Sequence, residues 1–290
     1  MDFFKKSKTP IVLALGFFDG AHLGHREVFS VAKSMCKKEK FAVFTFGGKL
    51  FKNASGNIYT LKEKKLIFKS LGANYVMVAK WDSNLYNMSP QHFLLNLVQN
   101  HNVKGIVCGT DFTFGKNAEG NVAFLKEFCT QHDIIFREVN LKTHNNRQIS
   151  TTLIKEYLIN GKIKEANYLL GDNYFVLGKV LHGRGDGSKS VFPTANVVIS
   201  KEKLKIKSGV YATRLKVDGK YYNALTNYGT CPTFNFKNFI IESHVLDFSN
   251  DIYNKDIKIE FLDYLRDIKK FNSAEELKNQ IKKDMEYFLW

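Results

Sequence analysis

Close to its N-terminus the chain has the sequence Leu15-Gly16-Phe17-Phe18-Asp19-Gly20-Ala21-His22-Leu23-Gly24-His25. The apolar run before it predicts a buried strand over 11–15, and a periodic segment predicts a helix over about 24–38, with glycines marking the turn between them. Backbone N–H groups and the helix dipole favour an anion at such a place. We interpret the stretch as a nucleotide site in which His22 and His25 donate hydrogen bonds to a phosphorus-centred transition state. A surface turn with two histidines is the plainer alternative.

Length and composition indicate a globular protein with two cores. A chain of 290 residues is long enough for two domains, and 44% hydrophobic with 14% aromatic residues is typical of folded proteins. The net charge of +15 comes mostly from lysine, which suits nucleic acid, anionic lipid or phosphorylated small molecules. Because the lysines are spread along the whole chain without an aromatic and basic RNA-binding signature, we expect no nucleic-acid partner.

The cysteines and the apolar runs bear on the compartment. Cys36, Cys108, Cys129 and Cys231 are far apart and form no Cys-x-x-Cys pair, so neither a zinc site nor a disulfide framework is indicated. Residues 1–9 have no apolar core of signal-peptide length, and no apolar run approaches the ~20 residues that span a bilayer. We expect a soluble, cytoplasmic protein that binds no membrane and is a monomer or a weak homo-oligomer.

Strand-like and helix-like segments alternate in the first half. Residues 41–46, 75–79, 103–108 and 134–139 predict strands, whereas 60–71, a segment that begins at Pro90, and 122–132 predict helices. This alternation indicates a parallel sheet covered on both faces, in which ligands bind beyond the carboxyl ends of the strands. The two histidines lie at that edge, and so does the turn Gly109-Thr110-Asp111-Phe112.

The pattern changes after two short predicted helices at 151–160 and 163–170. Strand-like runs follow at 174–181, 209–217, 221–227, 239–247 and 257–261, and Asp218-Gly219 predicts a hairpin between two of them. A last helix is predicted from about Ser273, with Glu276 at capping-box spacing. The second half therefore predicts an antiparallel barrel or sandwich with a terminal helix. We place the domain boundary so that the domains are 1–172 and 173–290.

Two stretches of the second half suggest phosphate chemistry. The glycine-dense loop 183–190 allows backbone N–H groups to approach phosphates, and Lys189 adds a charge; a flexible hairpin tip explains it equally well. Phe192-Pro193-Thr194-Ala195-Asn196 places a hydroxyl and an amide oxygen two residues apart. In an extended segment they share one face, which suits two ligands of a Mg²⁺ carried by ATP. A Pro-Thr turn that enters a strand is the alternative.

Glu242 lies inside the predicted strand 239–247, where alternation places it on one face with His244 and Leu246. A carboxylate is costly to bury in the wall of a small barrel unless it is paired or functional. Its functional interpretation is a general base toward a hydroxyl nucleophile.

Together these pieces resemble the bacterial bifunctional riboflavin kinase/FMN adenylyltransferase family, also called FAD synthetase, over nearly the whole chain. In the first half the resemblance rests on residues 16–25, on Gly109-x-Asp111-Phe112-x-Phe114-Gly115 and on Ile149-Ser150-Thr151-Thr152. In the second half it rests on four motifs: residues 192–196, Gly209-Val210-Tyr211, Asn227-x-Gly229-Thr230-x-Pro232-Thr233-Phe234, and Glu242-x-His244-x-Leu246-Asp247-Phe248.

The resemblance implies a Rossmann-like nucleotidyltransferase domain followed by a β-barrel riboflavin kinase domain. Glu242 would take the proton of the riboflavin 5′-hydroxyl, Thr194 and Asn196 would hold Mg-ATP, and His22 and His25 would stabilise the transfer of AMP to FMN. The implied nucleotide- and flavin-binding residues are Gly16, Phe18, Asp19, Gly24, Asp111, Phe112, Ser150, Thr152 and Lys155, then Gly183, Gly187, Lys189 and Asn227. The implied ligands are ATP, Mg²⁺, riboflavin, FMN and FAD.

Some positions depart from the family pattern, and they leave alternatives open. Gly47-Gly48-Lys49 stands where Pro-His-Pro is usual, and Leu153 and Lys155 replace arginines; lysine keeps the charge but loses the bidentate fork. One alternative is therefore a riboflavin kinase alone, with a degenerate N-terminal binding or structural module. The others are a different nucleotidyltransferase and a flavin- or RNA-binding protein without turnover.

Overall fold

The computed structural model describes residues 3, 5–47, 55–80, 82–181, 194–230, 239–246, 248 and 252–289, with only the backbone at 194, 230, 239 and 274. The chain divides into two compact units, residues 1–151 and residues 152–290. The predicted fold class is confirmed, since the first unit carries a parallel sheet and the second a closed barrel. Within the described ranges no helix is long and apolar enough to cross a bilayer.

The first unit is built on a parallel sheet with strand order β3-β2-β1-β4-β5. Its strands are β1 (Ser7–Leu15), β2 (Lys40–Gly47), β3 (Tyr75–Lys80), β4 (His101–Gly109) and β5 (Ile135–Val139). Its helices are α1 (Leu23–Met35), α2 (Leu61–Ser70), α3 (Ser83–Tyr86), α4 (Pro90–Asn100) and α5 (Val122–Gln131). Because β1 pairs with β2 on one side and β4 on the other, the strand order reverses at β1.

Local sequence signals explain where these helices begin. Thr60 accepts from the Glu63 N–H while the Glu63 carboxylate accepts from the Thr60 N–H, which is a complete capping box before α2. Ser89 caps α4, whose first residue is Pro90, as the sequence predicts. The one-turn helix α3 and a small hairpin, β6 (Thr143–His144) with β7 (Arg147–Gln148), are not predicted from the sequence, because both are too short to show a period.

The second unit is a closed antiparallel barrel with the order β10-β11-β12-β9-β8-β13. Two helices precede it, α6 (Thr151–Ile159) and α7 (Ile163–Leu170), and one follows it, α8 (Ala274–Met285). The strands are β8 (Phe175–Leu181), β9 (Thr194–Val198), β10 (Gly209–Val217), β11 (Lys220–Thr230), β12 (Phe239–Val245) and β13 (Asp256–Arg266). Asp218 and Gly219 both have positive φ between β10 and β11, which is the backbone of the predicted tight hairpin.

Three adjacent strands of the barrel share a row of buried hydroxyl groups. Thr213, Thr226 and Ser243 are fully buried, and hydrogen bonds of 2.6 Å and 2.8 Å join their oxygens in that order. A buried hydroxyl without a hydrogen-bond partner is costly, and here the three hydroxyl groups serve as partners for one another. Alternation along the strands then directs the residues next to these hydroxyls to the opposite face.

The terminal helix is tied to the barrel by an ion pair. Arg266 donates to both carboxylate oxygens of Asp284, with distances of 2.8–3.1 Å, and Gln280 donates to Asp284 at 2.8 Å. Asp284 is 8% exposed and the Arg266 side chain is 15% exposed, so the pair is largely shielded from water.

We expect Asp284→Ala to lower the free energy of unfolding of the full chain by roughly 3–5 kcal/mol, because it takes the carboxylate partner from a largely shielded guanidinium, which keeps only its hydrogen bond to the Asp267 backbone oxygen. Glu286→Ala removes an exposed carboxylate just after the same helix, so it is the matched control with an expected change within about 0.5 kcal/mol. Urea unfolding of both variants measures the difference. Equal stabilities would show that the pair contributes nothing.

Candidate functional site

The histidine turn lies at the carboxyl edge of the parallel sheet, where the strand order reverses. It follows β1 directly, and the turn after β4 follows the neighbouring strand, so both predicted turns flank the same crevice of the first unit. Ligands of doubly wound sheets bind at such a reversal, beyond the carboxyl ends of the strands. The topology thus brings together the two turns that the sequence analysis selected in this half.

The turn has an unusual backbone. Phe18 and Ala21 have φ values of 51° and 44°, and Gly20 has a φ of 88°. Positive φ in residues other than glycine is uncommon and costs energy, so the surrounding structure must hold it in place. Gly16 is required by a close approach, because a Cβ there would lie 2.7 Å from the Phe18 ring. These features explain why the sequence passes from strand to helix within so few residues.

The two histidines stack on one another at the start of α1. Their ring centroids are 3.5 Å apart, and His22 Nδ1 accepts from the His25 N–H at 3.4 Å as the N-cap. A neutral imidazole that accepts at Nδ1 carries its proton on Nε2, so His22 keeps an N–H donor there. His25 Nδ1 is buried and has no partner among the described residues.

Both imidazoles are held in their neutral form. Burial lowers the pKa of His22 to about 4. Burial, then the neighbouring His22 and the ammonium of Lys64, hold the pKa of His25 well below its usual value. Each neutral imidazole carries one N–H, which can donate to a phosphate oxygen, and that hydrogen bond strengthens as charge develops on the oxygen.

Asp19 anchors the turn to the segment before α2. Its buried carboxylate accepts from the Ile58 N–H at 3.1 Å and from the Tyr59 N–H at 3.2 Å. Its backbone oxygen accepts from Thr151 Oγ1 at 3.0 Å. These contacts show that Asp19 holds the turn in position. Its predicted role in binding the nucleotide stays a prediction.

The remaining candidates of the first half lie in other segments. Asp111 is exposed and Phe112 is partly buried in the turn after β4, where the Phe112 ring stacks on Phe114 at 5.5 Å. Ser150 directly precedes α6 and is partly buried. Thr152 and Lys155 belong to α6, and both fall within the second unit.

In the barrel, one row across three strands gathers three of the predicted kinase residues. Glu242 on β12 is directly opposite Asn196 on β9 and Asn227 on β11. Directly opposite residues share a face, with Cβ atoms roughly 4.5–5.5 Å apart. Glu242 and Asn227 are exposed and Asn196 is partly buried. Because Glu242 is exposed, the energetic cost of burying its carboxylate does not arise. In this row the Glu242 carboxylate lies between the amides of Asn196 and Asn227.

Several kinase candidates lie outside the described residues. Gly183, Gly187 and Lys189 fall in the range 182–193, and Thr194 is described only by its backbone. The β9 register nevertheless places residue 194 opposite His244, two pairs along from the row of Glu242.

A cavity lies between the barrel and its terminal helix. Its lining includes Tyr221 and Tyr222 on β11, Leu246 just after β12, and Met285 and Phe288 at the end of the chain. Leu246 is four residues from Glu242, which is roughly 13 Å along an extended strand. Apolar and aromatic side chains with a few polar groups nearby are the usual lining of a small-molecule site.

Sequence reasoning missed Lys64, which lies under the histidine turn. The available signal was its position directly after the capping-box residue Glu63, on the same helical face as Ile67 and Phe68. Counting lysines as surface charges obscured it. Its ammonium donates to the backbone oxygen of Phe17 and to Thr45 Oγ1.

Comparisons with known proteins show which families the two halves of the chain resemble. The profile of the FAD synthetase family matches residues 4–153, and that of the riboflavin kinase family matches residues 170–289. A protein of Bacillus subtilis named bifunctional riboflavin kinase/FMN adenylyltransferase is 34% identical over 97% of this chain and 92% of its own length. One of the same name from Haemophilus influenzae is 33% identical over 94% of this chain and 92% of its own length.

A solved structure supports the same fold. It is described as a macrolide-efflux protein from Streptococcus pneumoniae, and it superposes with a TM-score of 0.84 at 29% identity, covering 96% of this chain and 93% of that one. That description names an efflux protein, whereas both curated relatives and both family profiles name flavin enzymes. On the profiles and the relatives together, this chain belongs to the bifunctional riboflavin kinase/FMN adenylyltransferase family.

Proposed function

We propose that the chain makes FMN from riboflavin and ATP at the barrel row, and FAD from FMN and a second ATP at the histidine turn. The single observation that carries the first step is the row of Asn196, Glu242 and Asn227. Family membership supports both activities, and because the FAD synthetase profile covers the first half, a degenerate N-terminal module is not favoured. The enzyme is accordingly a transferase with riboflavin, FMN and ATP as its small-molecule substrates.

In the kinase step Glu242 acts as general base. It takes the proton from the ribityl 5′-hydroxyl as that oxygen attacks the γ-phosphorus of ATP, the bond to the β–γ bridging oxygen breaks, and ADP leaves. A general base contributes typically 10²–10⁴-fold, and the rest of such catalysis is positioning and charge neutralisation. The cavity beside α8, where Tyr221 and Tyr222 lie near the charged groups of Lys282 and Glu286, is where we place the flavin ring. Asn227 binds nucleotide or flavin beside the base.

In the adenylyl transfer a phosphate oxygen of FMN attacks the α-phosphorus of ATP, and pyrophosphate leaves as the α–β bridging bond breaks. No proton has to move, so neutral His22 and His25 serve as hydrogen-bond donors to the charged phosphorus centre. Ser150 and Thr152 bind near the phosphates, Lys155 adds a charge, and Asp111 and Phe112 shape the pockets for flavin and nucleotide.

The kinase site also fits a Mg²⁺ ion. Mg²⁺ binds oxygen ligands and is usually held by one or two protein groups together with substrate phosphates. Asn196 offers an amide oxygen on β9, and Thr194, two residues away, belongs on the same face of that strand. When bound with ATP, the ion neutralises charge on the phosphates. The chain's own part is to hold that complex beside Glu242.

We expect Asn196→Ala to weaken the use of Mg-ATP in FMN formation by about 10–100-fold, because a hydrogen bond or ligand bond to a charged group contributes ~1.5–3 kcal/mol. The KM for Mg-ATP and the Mg²⁺ concentration at half-maximal rate measure the effect. Asn160→Ala removes an exposed amide at the end of α6 and is the matched control. Unchanged constants for Asn196→Ala would remove Asn196 from the ligand set.

Three expectations from the sequence stay predictions. They are that the protein is cytoplasmic and binds no membrane, that it has no nucleic-acid partner, and that it is a monomer or a weak homo-oligomer. Generic RNA that shifted the protein in a salt-dependent way, without any flavin turnover, would favour the binding-protein alternative instead.

A further inference from the structure

Lys64 is a buried ionisable residue that the scheme above does not use. Lysine is almost never fully buried unless it is paired, yet Lys64 is 3% exposed. Its ammonium donates to the Phe17 backbone oxygen at 3.0 Å and to Thr45 Oγ1 at 2.6 Å. Thr45 Oγ1 donates to the same Phe17 oxygen at 2.8 Å. The three groups form a closed set of hydrogen bonds.

This set joins three elements at the carboxyl edge of the sheet. Phe17 is two residues beyond β1 and directly precedes Phe18, the first residue of the turn with positive φ. Thr45 belongs to β2, and Lys64 to α2, with its ammonium 4.1 Å from the centroid of the Phe17 ring. Lys64 therefore holds the beginning of the turn that carries His22 and His25.

Packing alone does not account for a charged group in this place. Removing an ammonium from water is costly, and a methionine of similar length fills such a space without that cost. Burial lowers the pKa of Lys64 to about 8, although the charge of Asp19 opposes that shift. The side chain therefore remains protonated at neutral pH although it is buried.

We propose that Lys64 is a positioning residue for adenylyl transfer, which holds the start of the histidine turn and supplies a positive charge that acts on His25. The inference rests on the proposed function of those histidines. The charge has two effects: it draws the ATP phosphates toward the crevice, and it disfavours the protonation of His25.

Other charged groups lie on the same elements. Asp19 and His22 belong to the turn, Arg26 to α1 and Glu63 to α2. The Arg26 Nε donates to the Ala21 backbone oxygen at 3.2 Å, and the Glu63 carboxylate accepts from the Thr60 N–H at 2.7 Å. Among these groups, Lys64 and His22 are the ones that lower the pKa of His25 in addition to burial.

The test compares Lys64→Met, Lys64→Arg and Lys65→Met in the full chain. Lys65 is the next residue of the same helix and is exposed, so its substitution makes the same chemical change without touching the turn. The rate of FAD formation from FMN and ATP is measured as a function of pH. FMN formation from riboflavin by the same preparations reports whether the second unit is intact, and thermal unfolding reports on the fold.

We expect Lys64→Met to lower kcat/KM for FAD formation about 10–100-fold, because a misplacement of about 1 Å can cost ~10²-fold. Removing the positive charge raises the pKa of His25 toward its ordinary value, so the acid limb of the pH profile moves to higher pH. Lys64→Arg keeps the charge and therefore the acid limb, and its alkaline limb moves upward because arginine does not deprotonate there. Lys65→Met matches the wild type.

The proposal is overturned if Lys64→Met keeps the wild-type rate, or if it loses rate while its residual activity keeps the wild-type pH profile, since that pattern indicates a purely structural role. If Lys64→Met does not fold, an unchanged alkaline limb in Lys64→Arg overturns it as well. The variant His25→Ala distinguishes a failure of the proposed function from a failure of this inference. Retained FAD formation in that variant removes the proposed function, whereas its loss beside a normal Lys64→Met removes only this inference.

Discussion

Glu242→Gln abolishes the conversion of riboflavin to FMN and leaves the formation of FAD from supplied FMN at the wild-type rate. The substitution keeps the shape of the side chain, but an amide does not accept the proton of the ribityl 5′-hydroxyl. The loss of a general base costs typically 10²–10⁴-fold, and we expect kcat for FMN formation to fall within that range or beyond it.

The neighbours of Glu242 make this expectation specific. Asn196 and Asn227 lie directly opposite on the two flanking strands, and neither amide can replace a carboxylate as base. Since Glu242 is exposed, the change to glutamine creates no cavity and leaves no buried group unpaired. Glu202→Gln, an exposed glutamate in the turn after β9, is the matched control. Near-normal FMN formation by Glu242→Gln would remove Glu242 from its role as base.

His25→Ala stops FAD formation and spares riboflavin phosphorylation. Removing one hydrogen-bond donor from a site of developing charge costs about 10²–10³-fold in kcat. The ring of His25 also stacks on His22 and contacts Phe18 edge-on at 5.1 Å, so its loss disturbs the partner histidine as well. We therefore expect an effect at the upper end of that range.

Two controls accompany His25→Ala. His92→Ala removes an exposed imidazole from α4 in the same unit and should leave both activities unchanged. His25→Asn keeps an N–H donor of shorter reach and should retain part of the adenylyl transfer. An equal fall of FMN and FAD formation in His25→Ala would show that the two reactions do not use separate sites.

Several element boundaries could be predicted from the sequence because their signals are local. The proline at the first position of α4 and, in the barrel, the Asp218-Gly219 pair each act within a few residues. Local hydrogen bonds and backbone preferences decide such boundaries, so they are visible without knowledge of the fold.

The row of the barrel could not be predicted in the same way. The sequence placed Glu242 on a strand, but the pairing of β12 with β9 joins segments more than 40 residues apart along the chain. Which strand closes the barrel depends on the packing of all six strands, not on any one of them. For the same reason β9 is missing from the strands predicted for the second half, although residues 192–196 were interpreted as an extended segment.

Lys64 illustrates a different limit. Its capping box was not noticed in the sequence, and a lysine on a helix is by default a surface charge. Only the tertiary contacts with Phe17 and Thr45 show that it lies beneath the turn. A charged residue on the buried face of a predicted helix is the pattern that should prompt this question in related sequences.

The most direct test of the account follows riboflavin, FMN and FAD by chromatography while the purified chain is incubated with riboflavin, ATP and Mg²⁺. The account predicts that FMN appears first and that FAD accumulates at its expense, and that supplied FMN gives FAD without riboflavin. FMN alone, with no FAD from supplied FMN, would contradict the assignment of the histidine turn. Neither product would contradict the account as a whole.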